Sequence, residues 1–316
     1  MNNYELTVEK NEGYDLNRSL FERLVLKGYP HTTLTTQHRM RPEISALIRE
    51  LTYPGLTDAP KTQNRDNIRG IQTNVVFVDH NQDEDDEKRI SDQGDGGSPT
   101  SKRNQFEVDM VVKIFHYLLQ QGYRNENIVL LTPYLGQLSA LRDAVEKDAD
   151  ALMNELDSRE LTRAGLLSSP TSPAKTHKTG IRLATIGLQF ISFLTNLFTI
   201  CSSDNYQGEE SDIVVASLTR SNSNGAIGFM KSPERLNVLI SRARDGLVLI
   251  GNSQTFESCK FSGNPWTKFF GLLRNSGHIY DGFPIKCERH PNNTALIKSP
   301  VGFDSLAPDG GCTEPW

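Results

Sequence analysis

The run of residues 204–252 constrains the fold of this chain more than any other stretch. Residues 213–218 (IVVASL) are apolar and rich in β-branched side chains, which favours a buried strand. A Ser-Pro pair, typical of helix starts, leads into residues 234–244, which carry apolar side chains at helical spacing. Residues 247–250 (LVLI) predict a second buried strand. A strand, a helix and a strand with short connections predict an α/β fold with a parallel sheet.

Polar residues flank this frame on both sides. Residues 206–210 (YQGEE) precede the first strand, and residues 241–244 (SRAR) end the predicted helix. An arginine always carries charge and can bind a phosphate with two hydrogen bonds. A Gln-Gly turn is common, however, and arginines at a helix end often only complement the helix dipole. Neither segment alone therefore indicates a function.

Together these segments resemble two helicase motifs. QGEES (residues 207–211) resembles motif V, and ERLNVLISRAR (residues 234–244) resembles motif VI, of superfamily 1 helicases of the nonsense-mediated-decay type. Upstream, QHRM (residues 37–40) resembles motif IV, although a tyrosine is more common in the family where His38 stands. The resemblance covers residues 4–256. It implies the second RecA-like domain of a P-loop NTPase, an α/β fold with a parallel sheet flanked by helices.

The resemblance also implies an ATP site. Arg39 and Arg242 would act as catalytic arginine fingers on the γ-phosphate, and such a finger contributes roughly 10³–10⁵ in rate. Gln207, Gly208 and Glu210 would bind the cofactor, with Glu210 at the ribose. His38 could stack on the adenine ring.

A predicted strand at residues 127–131 (NIVLL) ends in the sequence TPYLGQ. Such a loop lies at the carboxyl edge of the sheet, where open α/β sheets bind ligands. In the family this loop contacts nucleic acid, so the resemblance implies that Thr132, Pro133 and Tyr134 bind single-stranded RNA, with DNA as the alternative. An ordinary turn between a strand and a helix is the other interpretation.

The first motor domain of such helicases supplies a phosphate loop, G-x-x-x-x-G-K-[ST], and an acidic motif that binds magnesium. This chain contains no such phosphate-loop string. We therefore expect the second motor domain of an ATP-dependent RNA helicase, in RNA silencing or surveillance, with ATP and Mg²⁺ bound mainly by the absent first domain. Alone it should lack ATPase activity. The alternative is a non-catalytic RNA- or protein-binding fragment.

Periodicity and composition predict the remaining organisation. The predicted strands are residues 71–78 and 181–186, and the predicted helices are residues 19–26, 42–51, 104–121, 138–167 and the last helices within 253–275. The resemblance implies that residues 1–256 form the motor domain and that residues 257–316 form an extension leading into a truncated cysteine-rich region. Within the motor domain, residues 80–103 contain the acidic run DEDDE and Gly, Ser and Pro, which predicts a mobile solvated loop rather than a metal site.

Residues 187–203 (GLQFISFLTNLFTICSS) carry no charge and interrupt the family pattern. They are shorter than the roughly 20 apolar residues that a membrane span needs. In the family pattern the IRLATI strand continues directly into DNYQGEES. Our hypothesis is a retained intron translated in frame, since 17 residues correspond to 3 × 17 = 51 nucleotides. The rival is a genuine loop, which would expose apolar side chains beside the ATP cleft and impair catalysis.

Cys287, His290 and Cys312 are candidate zinc ligands, because thiolates and imidazoles suit zinc. Three ligands are one short of a closed structural site, and the segment resembles the beginning of the cysteine array of NFX-type zinc-finger helicases. The four cysteines do not indicate a disulfide framework. A formal net charge of −5 provides no global basic field for nucleic acid. Without a signal-peptide core in its first residues, the expected location is cytoplasmic or nuclear, with no membrane partner.

Overall fold

The computed structural model describes residues 19–85, 102–145, 151–153, 181–185, 210–290 and 292–306, the third and fourth ranges as backbone only. The strands are β1 (Thr36–Gln37), β2 (Thr57–Asp58), β3 (Val75–Asp79), β4 (Ile128–Thr132), β5 (Ala151–Met153), β6 (Ile181–Thr185), β7 (Ser211–Ser217), β8 (Ala243–Gly251), β9 (Ile279–Tyr280), β10 (Phe283–Lys286) and β11 (Thr294–Ile297). The α-helices are α1 (Leu20–Leu26), α2 (Pro42–Leu51), α3 (Gln105–Gln120), α4 (Leu135–Val145), α5 (Pro233–Ile240), α6 (Ser253–Glu257) and α7 (Pro265–Asn275).

Seven strands form one sheet in the order β5-β6-β4-β7-β8-β3-β9, and every neighbouring pair is parallel. Two small sheets lie outside it, a parallel pair of β1 with β2 and an antiparallel pair of β10 with β11. The predicted α/β fold with a parallel sheet flanked by helices is confirmed. Because all seven strands run the same way, the sheet has one amino edge and one carboxyl edge.

The core divides into two apolar clusters, one on each face of the sheet. Val76 and Val78 of β3 pack with α3 and α4 on one face, whereas Val75 and Phe77 pack with α2, α5 and α7 on the other. Successive side chains of a strand point to opposite faces, so a strand covered on both sides must be apolar throughout. This explains the continuous apolar runs that identified β4, β7 and β8 in the sequence.

Several helices form where the periodicity predicts them. α2 begins at Pro42, and its apolar stripe of Ile44, Leu47 and Ile48 is buried. In α3, the Asn104 side chain accepts a hydrogen bond from the backbone N–H of Glu107 and caps the helix. By contrast, α1 contains no buried residue.

Two predicted helices are wrong in extent. The helix predicted over residues 138–167 ends at Val145, and Ala151–Met153 is an edge strand paired with β6. The helix predicted over residues 234–244 ends at Ile240, and β8 begins at Ala243 opposite Ser211. The apolar residues keep helical spacing through these segments, but hydrogen bonding to neighbouring strands of the sheet determines their conformation. Within the described ranges, none of the helices combines the length and apolar character that crossing a bilayer requires.

Candidate nucleotide site and carboxyl-edge polar network

Three distant segments bring charged side chains together at the amino edge of the sheet. Arg39 Nε donates to Glu210 Oε2 at 2.7 Å, and Arg39 Nη1 donates to the Ser241 carbonyl oxygen at 2.9 Å. Arg244 Nε lies 3.7 Å from Glu210 Oε1. Glu210 immediately precedes β7, and Arg244 lies at the start of β8, so the parallel pairing of these strands builds this group. We call Arg39, Glu210, Ser241, Arg242 and Arg244 the amino-edge cluster.

The Gln37 side chain fixes the backbone conformation at Arg39. Its Oε1 accepts hydrogen bonds from the backbone N–H groups of Arg39 and Met40, both at 2.8 Å. Its Nε2 donates to the Met40 carbonyl and to Asp58 Oδ1, both at 2.7 Å. The side-chain amide therefore closes the QHRM turn and ties it to β2. This structural role of Gln37 was not predicted from the sequence.

Arg41 is a second residue that the sequence analysis missed. It is 4% exposed, and its guanidinium donates to the Asp245 carbonyl at 3.0 Å and to Glu43 Oε2 at 2.8 Å. Its backbone N–H donates to the Arg244 carbonyl at 2.9 Å. Arg41 thus fixes the start of β8 against the start of α2, beside Arg39. The feature of the sequence that could have indicated this role is the position of Arg41, directly before the proline that begins α2.

Two carboxylates near this edge, Asp58 and Glu43, have lowered pKa values. Burial raises the pKa of Asp58, but hydrogen bonds from Ser45 and Gln37 and the charge of Arg49 outweigh burial and leave this pKa below its ordinary value. At Glu43, burial is likewise outweighed, chiefly by the hydrogen bond and charge of Arg41, and the pKa is lowered. Arg49 and Arg41 are therefore held by ionised partners, Asp58 and Glu43 respectively.

The predicted nucleotide-site residues fall partly within the described chain. Arg242 lies in the turn between α5 and β8, not on a helix, and its carbonyl accepts from the backbone N–H of Ser211 at 3.1 Å. Arg39, Glu210 and Arg242 therefore share one edge of the sheet. His38 is exposed beside them. Gln207, Gly208 and the hypothesised intron segment, residues 187–203, lie outside the described residues.

Thr132, Pro133 and Tyr134 lie at the carboxyl edge, as predicted, but all three are buried. Thr132 Oγ1 lies 3.1 Å from Thr219 Oγ1, and the Tyr134 hydroxyl donates to the Ile227 carbonyl at 3.1 Å. Burial raises the pKa of Tyr134. The side chains of Thr132 and Tyr134 are thus bonded within the protein, and contact of this loop with nucleic acid stays a prediction that requires the loop to open.

A buried polar network lies beside that loop. Glu107 has no exposed surface, and its Oε2 accepts from Ser217 Oγ at 2.5 Å and from the Thr219 N–H at 2.8 Å. Its Oε1 lies 3.1 Å from His80 Nε2. Thr219 has a φ of 70°, in the left-handed region, and the bond to Glu107 helps to hold it there. The feature of the sequence that could have indicated this buried network is a glutamate on the apolar face of α3.

Glu84 and Arg220 form a second buried group at this edge. Arg220 Nε and Nη2 donate to the two Glu84 oxygens at 2.7 and 3.1 Å, with side chains 8% and 13% exposed respectively. The Ser221 N–H adds a third bond to Glu84 at 3.1 Å, and the Arg220 guanidinium lies 5.7 Å from the centre of the Tyr134 ring. The prediction of a solvated loop over residues 80–103 is therefore wrong for Glu84. Residues 86–101 lie outside the described residues.

Two of the three candidate zinc ligands are described. Cys287 Sγ lies 3.8 Å from His290 Nδ1, close to the roughly 3.6 Å that separates a sulfur and a nitrogen bound to one tetrahedral zinc. Cys312 lies outside the described residues. Among those that are described, no group of three metal-binding side chains converges. The pair fits two positions of a zinc site, and zinc binding stays a prediction.

Comparison with known proteins identifies relatives of the whole described region. A family model described as "AAA domain" matches residues 16–254. The chain is 32% identical over 304 residues to the mouse (Mus musculus) NFX1-type zinc finger-containing protein 1, covering 96% of this chain and 13% of that protein. It is 32% identical over 297 residues to the Schizosaccharomyces pombe helicase required for RNAi-mediated heterochromatin assembly 1, covering 92% of this chain and 24% of that protein.

The Caenorhabditis elegans regulator of nonsense transcripts 1 is 28% identical over 292 residues, covering 90% of this chain and 22% of that protein. The chain thus spans a quarter or less of the length of these three relatives.

Proposed function

Because the chain belongs to the AAA-domain family, within the superfamily 1 helicases that include the nonsense-mediated-decay type, we propose that it is the second motor domain of an ATP-dependent RNA helicase. In this proposal it hydrolyses ATP only together with a first motor domain, which contributes the phosphate loop and the magnesium ligands. The names of the S. pombe and C. elegans relatives favour a role in RNA silencing or RNA surveillance.

The amino-edge cluster is the observation that carries the proposal. Arg39 and Glu210 are 171 positions apart in the chain, yet they form a 2.7 Å ion pair beside Ser241 and Arg242. A guanidinium held by a carboxylate and a carbonyl is oriented before any nucleotide arrives, so little conformational entropy is lost when it binds a phosphate. Residues from the three segments that resemble motifs IV, V and VI thus lie together at one edge of the sheet, which supports the proposal.

The proposal assigns a role to each residue of this site. When ATP is bound, Arg39 and Arg242 neutralise negative charge that develops on the transferred phosphoryl group. Glu210 accepts hydrogen bonds from the ribose hydroxyls while ATP is bound. When the nucleotide leaves, Glu210 pairs with Arg39 again. Arg41 and Gln37 position these groups without touching the nucleotide, because both are used fully by backbone and side-chain partners.

The test is RNA-stimulated ATP hydrolysis by a chain that joins this domain to the phosphate-loop domain that we propose accompanies it. Arg39→Ala and Arg242→Ala should each lower the turnover rate by roughly 10³ or more. Arg274→Ala is the matched control, because Arg274 is an exposed arginine of α7 that is paired with Glu257 of α6. The chain alone should show no turnover.

Turnover that survives both substitutions would contradict the arginine assignments. A joined chain that binds RNA but never hydrolyses ATP would favour the alternative, a non-catalytic RNA-binding module.

A further inference from the structure

A cavity of about 420 Å³ opens at the carboxyl edge of the sheet, opposite the amino-edge cluster. His80 and Gln82 follow the end of β3, and Gln254 follows the end of β8. Phe106, in the first turn of α3, and Lys298 also line the cavity. Its volume lies within the range of small-molecule sites, and loops at carboxyl ends of parallel strands are where such folds bind ligands.

One wall of the cavity is a fixed aromatic surface. The Gln82 backbone N–H donates to His80 Nδ1 at 3.1 Å, so the proton of a neutral His80 ring is on Nε2 and is donated to Glu107. This buried partner fixes the His80 ring, whose side chain is 5% exposed. The ring of Phe106 packs on it with 4.9 Å between centroids and is itself half-buried. A rigid, partly exposed aromatic ring is suited to stack on a flat π-system.

Two amide side chains at the cavity are available for a ligand. The Gln82 carbonyl accepts from Asn104 Nδ2 at 3.2 Å, which anchors its backbone. The side chains of Gln82 and Gln254 are exposed and make no hydrogen bond within the described part of the chain. By contrast, the Asp79 carboxylate is occupied by the N–H and hydroxyl of Ser253, at 2.9 and 2.7 Å. Free amides can both donate to and accept from the edges of nucleobases.

The rim carries one exposed cation. Lys298 pairs with Asp281, and both side chains are more than 60% exposed. Such an exposed pair contributes little to stability, so Lys298 can exchange its partner for a phosphate at small cost. We propose that the cavity takes one unstacked base of single-stranded RNA, stacked on Phe106 and bound at its edge by Gln82 and Gln254, with a flanking phosphate at Lys298. This inference rests on the proposed function, and it adds a base-binding step to it.

The experiment uses the whole chain and a single-stranded RNA 12-mer that contains 2-aminopurine, whose fluorescence falls when it stacks. Affinity is followed by anisotropy of a labelled copy. The variants are Phe106→Leu, which removes the aromatic face, Gln254→Ala and Lys298→Gln. The matched controls are Lys61→Gln, within the 3₁₀ turn Pro60–Thr62, and Gln63→Ala, directly after it; both residues are exposed and do not line the cavity.

Binding of the wild-type chain should quench 2-aminopurine. Phe106→Leu should abolish the quench and weaken binding about tenfold, as expected for loss of one stacked base. Gln254→Ala should weaken binding severalfold, and Lys298→Gln should lower the slope of log K against log salt by about 1. Both controls should bind within about twofold of wild type.

If all three cavity variants bind RNA as tightly as the wild-type chain, the proposed base-binding site is wrong, and the proposed function is unaffected. Equally tight competition by free mononucleotides would show a nucleotide site instead of a strand site, and would overturn it too. Failure of the wild-type chain to bind any single strand would overturn the pocket and the nucleic-acid part of the proposed function together. The ATPase test of Arg39 separates that failure from failure of the nucleotide site.

Discussion

Glu107 and Asp58 are carboxylates that accept hydrogen bonds from several residues at opposite edges of the sheet. Glu107 is fully buried and accepts from His80, Ser217 and Thr219. Asp58 lies near the surface and ties Gln37 to Arg49, with bonds of 2.7 and 2.9 Å. A buried acceptor with three donors cannot be replaced by a group that itself donates without leaving a polar atom unsatisfied.

Glu107→Gln should therefore lower the free energy of unfolding by about 2 kcal/mol, because the amide nitrogen can accept no hydrogen bond. Urea denaturation followed by circular dichroism measures this change. Glu50→Gln, at an exposed position of α2, should leave the midpoint unchanged. Equal midpoints for the two variants would show that the Glu107 network contributes nothing to stability.

Asp58 predicts a pH dependence of stability. Its folded pKa lies below the ordinary value of 3.8, so its contribution is complete above that value and is lost as the pH falls through the folded pKa. The wild-type chain should therefore lose stability between about pH 5 and pH 3 more steeply than Asp58→Asn. Urea midpoints across this range would measure the difference. Parallel curves for the two proteins would contradict the assignment.

At the scale of elements, the loops after β3 and β7 are joined by the ion pair of Glu84 with Arg220. The pair is largely buried, bidentate and supported by the Ser221 N–H. Removing one partner of such a pair leaves an uncompensated buried charge, which costs far more than the pair contributes.

Arg220→Gln should lower the free energy of unfolding by about 3 kcal/mol, and adding Glu84→Gln should restore part of the loss. The control is Arg274→Gln, which breaks an exposed bidentate pair and should cost less than about 1 kcal/mol. A double-mutant cycle in urea measures the coupling. Additive effects of the Glu84 and Arg220 changes would show that the two loops are not coupled.

The elements that the sequence predicted well are those with a single strong signal. Pro42 and Asn104 mark the starts of α2 and α3, and unbroken apolar runs mark β4 and β7. The short strand Ala151–Met153 has too few residues to show a period, so a helical pattern absorbed it. Similarly, Arg242 and Arg244 continue helical spacing, but pairing of Ala243 with Ser211 turns the chain into β8.

The amino-edge cluster could be predicted only through family motifs, because its members come from three separate segments. The burial of Thr132 and Tyr134 could not be predicted, since it depends on Thr219 and Ile227, nearly a hundred residues away in the chain. Likewise, the acidic composition around Glu84 indicates a solvated loop until Arg220 is placed beside it. Long-range polar pairing leaves no periodic trace in a sequence.

At the scale of the whole molecule, the two faces of the sheet carry separate apolar clusters. The α7 side is built around Trp266, which is fully buried against Phe256, Phe269 and Phe270. Its indole Nε1 donates to the Met230 carbonyl at 2.7 Å. This one side chain therefore joins the apolar cluster to the turn that precedes α5.

Trp266→Phe should lower the free energy of unfolding by about 2 kcal/mol, because it leaves a cavity and an unpaired Met230 carbonyl. Thermal and urea unfolding measure the change. Leu20→Ala, at a position of α1 that is 73% exposed, should change stability by less than about 0.5 kcal/mol. A larger effect at Leu20 than at Trp266 would place the core of the molecule elsewhere.

The 171-residue separation of Arg39 and Glu210 has a consequence for how the protein is made. A ribosome completes the QHRM turn long before it reaches β7, and the Ser241 carbonyl that also holds Arg39 emerges 202 positions after it. Until then Arg39 has neither of these partners to orient it. The amino-edge cluster therefore assembles only after β8 pairs with β7, so nascent and prematurely terminated chains lack the formed cluster.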